Sequence, residues 1–97
     1  MNDLDKWAAE QCGVEVYCTH KAGKYIELFW EDENIEWTIK DPRCREIYRK
    51  DWLSKNRNGS VEFYPSGYVA YRKSASEKAA HEVGEEACIT AIWESEK

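Results

Sequence analysis

"SVEFYPSGYVAYRK", Ser60–Lys73, decides how the chain is read. Two segments of period two stand on either side of Pro65-Ser66-Gly67, the combination that folds two strands back on each other as a hairpin. Asn58-Gly59 breaks the chain just before it. Upstream, "KDPRCREIYRKDWLSKNRNG" (residues 40–59) reads as a helix. Asp41 is its N-cap and Pro42 takes the first helical position, where a missing amide hydrogen costs nothing. Cys44, Ile47, Tyr48 and Trp52 fall on one side of it. Downstream, Ser74 and Glu77 form a capping-box pattern that predicts a third helix from near Ser74. On that helix Ala80, Val83, Gly84, Ala87, Cys88 and Ala91 share a stripe small enough to lie close to a sheet, and His81 is a surface residue four positions from both Glu77 and Glu85.

Farther out, Ile35, Trp37 and Ile39 alternate with Glu36 and Thr38, which predicts a strand with one apolar and one wet face. "VEVYC" (residues 14–18) also alternates, and "KAGK" turns the chain into a strand from Tyr25 to Trp30, a second hairpin. At the N-terminus Asn2 caps a helix with Asp5 three residues on; Leu4, Trp7, Ala8 and Cys12 recur at helical spacing until Gly13 supplies a left-handed stop. The expected fold is α+β, a mainly antiparallel sheet with three helices in the order α-β-β-β-α-β-β-α, sandwich-like, in a single domain spanning residues 1–97.

Composition sets the limits on function. In a chain of 97 residues, 42% hydrophobic and 13% aromatic content offset the entropy of ordering one core. No apolar run reaches the roughly 18 residues of a membrane span, and "MNDLDKWAAEQ" has neither a basic start nor an apolar stretch behind it. A cytoplasmic location is expected. The four cysteines, Cys12, Cys18, Cys44 and Cys88, are widely spaced. Reduced thiols are expected, with no bridge and no zinc, because no Cys-x-x-Cys pair exists.

The net charge of −5 disfavours direct nucleic-acid binding. It is unevenly spread: residues 1–39 carry nine acids and three bases, residues 40–57 three acids and seven bases, and residues 58–97 seven acids and four bases.

The three helical segments together resemble the phage ABA-sandwich domain family, the small phage proteins that include the NinX-like group. "LDKWAAEQCGV" looks like that family's N-terminal helix, "WTIKDPRCREIYRKDWL" its middle helix, and "VEFYPSGYVAYR" with "EVGEEACITAIWES" its late hairpin and alanine-rich last helix. "WTIKD" departs from the Tyr-Ser-Thr-Asp common in the family, and the acidic "EDENIE" has no counterpart there. The resemblance implies phage or prophage origin and α/β/α layering, and it transfers no catalytic residue.

Enzymatic motifs are missing. Cys18 and His20 share a strand face, but no third group orients the histidine, so a catalytic dyad is not expected. "EDENIE" has the composition of a calcium-loop start without its Gly or distal Glu. No phosphate loop, nucleophile elbow or zinc-protease pattern occurs. The chain reads as a binding protein with neither catalytic residues nor cofactor.

Two surfaces stand out. Glu27, Glu31, Asp32, Glu33 and Glu36 crowd five like charges into ten residues, more than a turn requires, with Trp30 and Trp37 as flanking anchors. They suit a host protein, or a protein–nucleic-acid complex, with a basic groove. The expected function is inhibition of a host defence or nucleic-acid-processing complex, anti-CRISPR-like or nuclease-inhibitor-like, by competition with nucleic acid. The alternative is a nucleotide- or small-ligand-binding, sponge-like protein, oligomeric, holding anions on Arg43, Arg45, Arg49 and Lys50; a structural accessory role is the third reading. Glu46 and Asp51, interleaved with those cations at helical spacing, favour a self-paired surface.

Overall fold

The computed structural model describes residues 2–14, 17–18, 24–28, 33–76 and 80–96, with the backbone alone at 17–18, 24–28, 33–35 and 80. Among these, three helices and six strands make an α+β fold. They are α1 (Asp3–Cys12), β1 (Tyr17–Cys18), β2 (Lys24–Leu28), β3 (Glu33–Glu36), α2 (Pro42–Lys55), β4 (Ser60–Phe63), β5 (Tyr68–Arg72), β6 (Ala80–Val83) and α3 (Glu85–Ser95). The strands form two antiparallel sheets, β1-β2-β3 and β4-β5-β6.

The caps sit where their residue types require. Asn2 Oδ1 accepts from the Asp5 backbone N–H at 2.8 Å, and Gly13, at φ 64°, ends α1 with its N–H on Glu10 and Ala9 carbonyls. Asp41 Oδ1 accepts from Arg43 N–H at 2.8 Å, one residue after Pro42 opens α2. In the central hairpin the Gly67 N–H donates to the Tyr64 carbonyl at 3.0 Å, and Gly67 takes φ 94°. Pro65-Ser66-Gly67 thus closes β4 onto β5, with Val61 opposite Tyr71 and Phe63 opposite Val69.

The last third of the chain departs from its expected form. The segment at residues 80–83 is a strand, β6, and helix begins only at Glu85. Two physical reasons combine. Gly84 adopts φ 86°, outside any helix, so a helix from Ser74 would break there. The free edge of β5 also offers a full ladder, Tyr68 to Val83 through Tyr71 to Ala80, and the Gly84 N–H extends it to the Gly67 carbonyl at 3.0 Å. Backbone pairing outweighs the helical preference of an alanine-rich segment. His81 is therefore a strand residue, not a helix-surface histidine, and the buried side of α3 runs through Cys88 and Ile89.

Helices cover one face of β4-β5-β6. α3 packs on β5 and β6, α2 on β4, and α1 on α2 and α3. Tyr71 lies at the centre, its ring 5.0 Å edge-on from Trp52 and 6.4 Å from Tyr48, which in turn meets Trp7 at 5.8 Å. The same core takes in Ala8, Cys44, Val69, Cys88 and Ile89, together with Trp37 and Ile39. Those last two alternate inward as expected although β3 ends at Glu36. Asp5 holds them: its carbonyl accepts from Trp37 Nε1 and its Oδ1 from the Ile39 N–H, both at 2.8 Å.

Candidate functional site

The acidic residues stand on and around the β2–β3 hairpin. The backbone register sets Glu27 opposite Asn34 and Leu28 opposite Glu33. Trp30, Glu31 and Asp32 lie outside the described residues, as does His20, and Glu27 and Glu33 are described by their backbone. Glu36, the last residue of β3, is exposed. Trp37, expected as a surface anchor, is 1% exposed. A large ring with one N–H donor is most stable where the ring is dry and the donor is met, and the Asp5 carbonyl provides that partner. Trp37 is a core residue.

The cations of α2 are all engaged by carboxylates. Arg43 bonds Asp41 through Nη2 at 3.0 Å, and this hydrogen bond holds the Asp41 carboxyl below its usual range. Lys50 pairs with Glu46 at 3.2 Å and Lys55 with Asp51 at 2.9 Å, both one helical turn apart. Arg45 and Arg49 point instead at Glu85, whose side chain is only 7% exposed. Arg49 Nη1 donates to both carboxylate oxygens at 3.0 and 2.9 Å, Tyr71 OH donates to Oε2 at 2.7 Å, and Arg45 Nε stands 3.5 Å from Oε1. Arg45 Nη1 also reaches the Ile39 and Lys40 carbonyls at 2.8 and 2.9 Å. One buried carboxylate thus joins α2, β5 and α3, and through Arg45 the segment that follows β3. Sequence reading missed it. With a helix from Ser74, Glu85 is one more surface acid; only a helix starting at Glu85, after Gly84, makes it a first-turn residue turned inward.

The thiols are arranged for packing. Cys44 and Cys88 are buried and Cys12 half-buried, and all three are free. Burial pushes Cys12 up to about 12, with Asp51 adding to it, and Cys88 to about 11; it also raises Cys44, whose Sγ donates to the Glu36 carbonyl at 3.6 Å. Protonated, desolvated thiols make poor nucleophiles. Among the described residues no three His, Cys, Asp or Glu side chains converge as a metal site.

The face of β4-β5-β6 turned away from the helices is open among the described residues. Tyr64 ends the hairpin across from Tyr68, its N–H on the Tyr68 carbonyl at 2.9 Å, and Tyr68 lies opposite Val83. These three are 40%, 46% and 68% exposed; Phe63, on the other face opposite Val69 and under the Arg49 guanidinium of α2 at 5.1 Å, is 58% exposed. Tyr64 stacks on His81 with ring centroids 6.1 Å apart. Ala70, flanked by Glu62 and His81 in the ladder, is fully buried yet outside the main core. Glu62 takes hydrogen bonds from Tyr64 OH and Ser60 and stands 3.7 Å from Arg72, and the bond from Tyr64 holds its carboxyl low.

No family model matches the chain, and no curated protein or solved structure matches it.

Proposed function

We propose that the protein is a phage-type binding protein that inhibits a host defence or nucleic-acid-processing complex, its acidic residues meeting a basic groove in competition with nucleic acid. The observation that carries this reading is the fate of the cations. Arg43, Arg45, Arg49 and Lys50 each stand within ion-pair distance of a carboxylate, so the cations of α2 are engaged internally. A phosphate would have to displace Glu85 from a buried site, where Arg49 and Tyr71 donate to it and Arg45 stands within ion-pair distance, to reach two of those arginines. The unbalanced charge is then the acidic one, which sums to −6 over residues 1–39. Such charge steers association with a basic partner. The resemblance to small phage proteins supplies the host setting and a cytoplasmic place of action, and the absence of a catalytic motif in the sequence favours binding over catalysis.

The test compares two variants of the full chain. One replaces Glu27, Glu31, Glu33 and Glu36 with Gln and Asp32 with Asn; the other carries Arg43→Gln and Lys50→Gln, which leave the Glu85 cluster intact. Wild-type protein should retain a basic nucleic-acid-binding protein from host lysate, associating at a rate that falls steeply with salt. The acidic-site variant should lose this association and the cation variant keep it. The reverse pattern, or nucleotides released from the wild type on denaturation, would establish the anion-binding alternative.

A further inference from the structure

A second surface, on the far side of α3 from the core, has its own chemistry. Between β6 and α3 runs an open groove of about 510 Å³. Its floor is apolar and low: Ala87 and Ala91, one helical turn apart, with Val83 beside them. Val83 is 68% exposed, the largest exposure among the described apolar side chains of this size. It sits directly opposite Tyr68 in the ladder, so the apolar floor continues onto the open sheet face. The rim is acidic. Glu82 lies on the strand side, and Glu86 and Glu94 on the helix side, eight residues or about 12 Å apart. All three are exposed, and among the described residues none has an ion-pair partner. The remaining polar side chain, Thr90, is turned back onto the Glu86 carbonyl at 2.8 Å.

We infer that the groove between β6 and α3 docks a cationic amphipathic segment of a partner protein. Charge complementarity selects this occupant. An anionic segment is repelled by three exposed carboxylates, and a neutral one would cover them without offering anything in return for lost hydration. A segment with apolar residues on one side and Lys or Arg on the other fits both parts: its apolar side meets Val83, Ala87 and Ala91, and its long cationic stems lie along the groove wall with their heads at the rim. The α3 backbone and the β6 ladder hold the surface, so little ordering is needed on binding. The groove is lined by residues of β6 and α3 alone among the described residues, and the inference stands or falls independently of the proposed inhibitory function.

The probe is a synthetic amphipathic Lys/Leu helical peptide added to isotope-labelled full-length protein, with Lys/Ser and Glu/Leu peptides of the same length for comparison. The Lys/Leu peptide should bind and shift the amide resonances from Glu82 to Glu94. The triple variant E82Q/E86Q/E94Q should bind it about tenfold more weakly, three rim charges each contributing a fraction of that factor. Its thermal midpoint should stay equal or rise slightly, because only exposed like charges are removed. Val83→Ser should weaken the Lys/Leu peptide without altering the salt dependence. The inference is overturned if the Lys/Leu peptide does not bind, if the triple variant binds it as tightly as wild type, if the Lys/Ser peptide binds equally well, or if the shifts fall only in residues 24–36. The last result would assign the binding to the hairpin instead.

Discussion

Glu85 and Lys50 show how little a residue's charge says about its role. Lys50 is paired with Glu46 but its side chain is 74% exposed, so solvent screens the pair and side-chain entropy opposes it. Glu85 is screened by neither, being enclosed by Arg45, Arg49 and Tyr71. Glu85→Gln keeps the shape but leaves two guanidinium groups facing a neutral amide. It should lower the unfolding free energy by about 2 to 3 kcal/mol, while Lys50→Gln should stay within about 0.5 kcal/mol. Urea denaturation of the two variants side by side decides it, and equal midpoints would remove Glu85 from its structural role. The same contrast separates Trp37 from Trp30 as expected anchors: the former is fixed by Asp5 in the core, and the latter lies outside the described residues.

At the level of the elements, two glycines that follow helices are constrained by different physics. Gly13 ends α1 with φ 64°, and an added Cβ there meets nothing within 4 Å, so Gly13→Ala carries only the backbone cost of the left-handed conformation, about 1 kcal/mol. Gly59, between α2 and β4, is held against backbone: an added Cβ would lie 2.7 Å from the Arg72 carbonyl oxygen and 2.9 Å from that of Asn56. Neither atom can swing aside as a side chain does, and β4 would have to shift on β5. Gly59→Ala should therefore be the more destabilising, by about 2 kcal/mol or more, with the larger loss of amide-exchange protection in β4 and β5. A smaller effect at Gly59 than at Gly13 would mean that the turn relaxes freely.

For the whole molecule, the core's acidic protons set an alkaline limit. Burial raises the thiols of Cys12, Cys88 and Cys44 and the phenols of Tyr48 and Tyr71, the last also through its hydrogen bond to Glu85. Each is harder to ionise folded than unfolded, so at high pH the unfolded chain releases protons first and stability falls as pH rises. The contribution is complete below the ordinary thiol value of 9.0 and is lost progressively as pH climbs from there toward the folded Cys88 and Cys12 values near 11 and 12. Urea midpoints at pH 8, 9 and 10.5 should decline in that order, and a flat profile would contradict the burial of these groups. Between pH 7 and 8 no change from this source is expected.

What the sequence by itself determined were the features that depend on neighbours along the chain. Asn2, Gly13, Asp41, Pro42 and the Pro65-Ser66-Gly67 turn act within a few residues of themselves, and each does in the structure what its type dictates. The inward alternation of Trp37 and Ile39 and the buried stripe of α2 were legible for the same reason, because periodicity is local. The tertiary structure alone decided the rest. Residues 80–83 have the composition of a helix, yet they pair with β5 because an edge strand already stands there to be completed. Once that strand forms, Gly84 resets the start of α3, Glu85 turns inward onto arginines 36 and 40 residues earlier in the chain, and Val83 is left exposed beside the acidic groove. Each of these outcomes comes from pairing between distant segments, whose energy exceeds the fraction of a kcal/mol per residue by which local propensity favours one conformation over another.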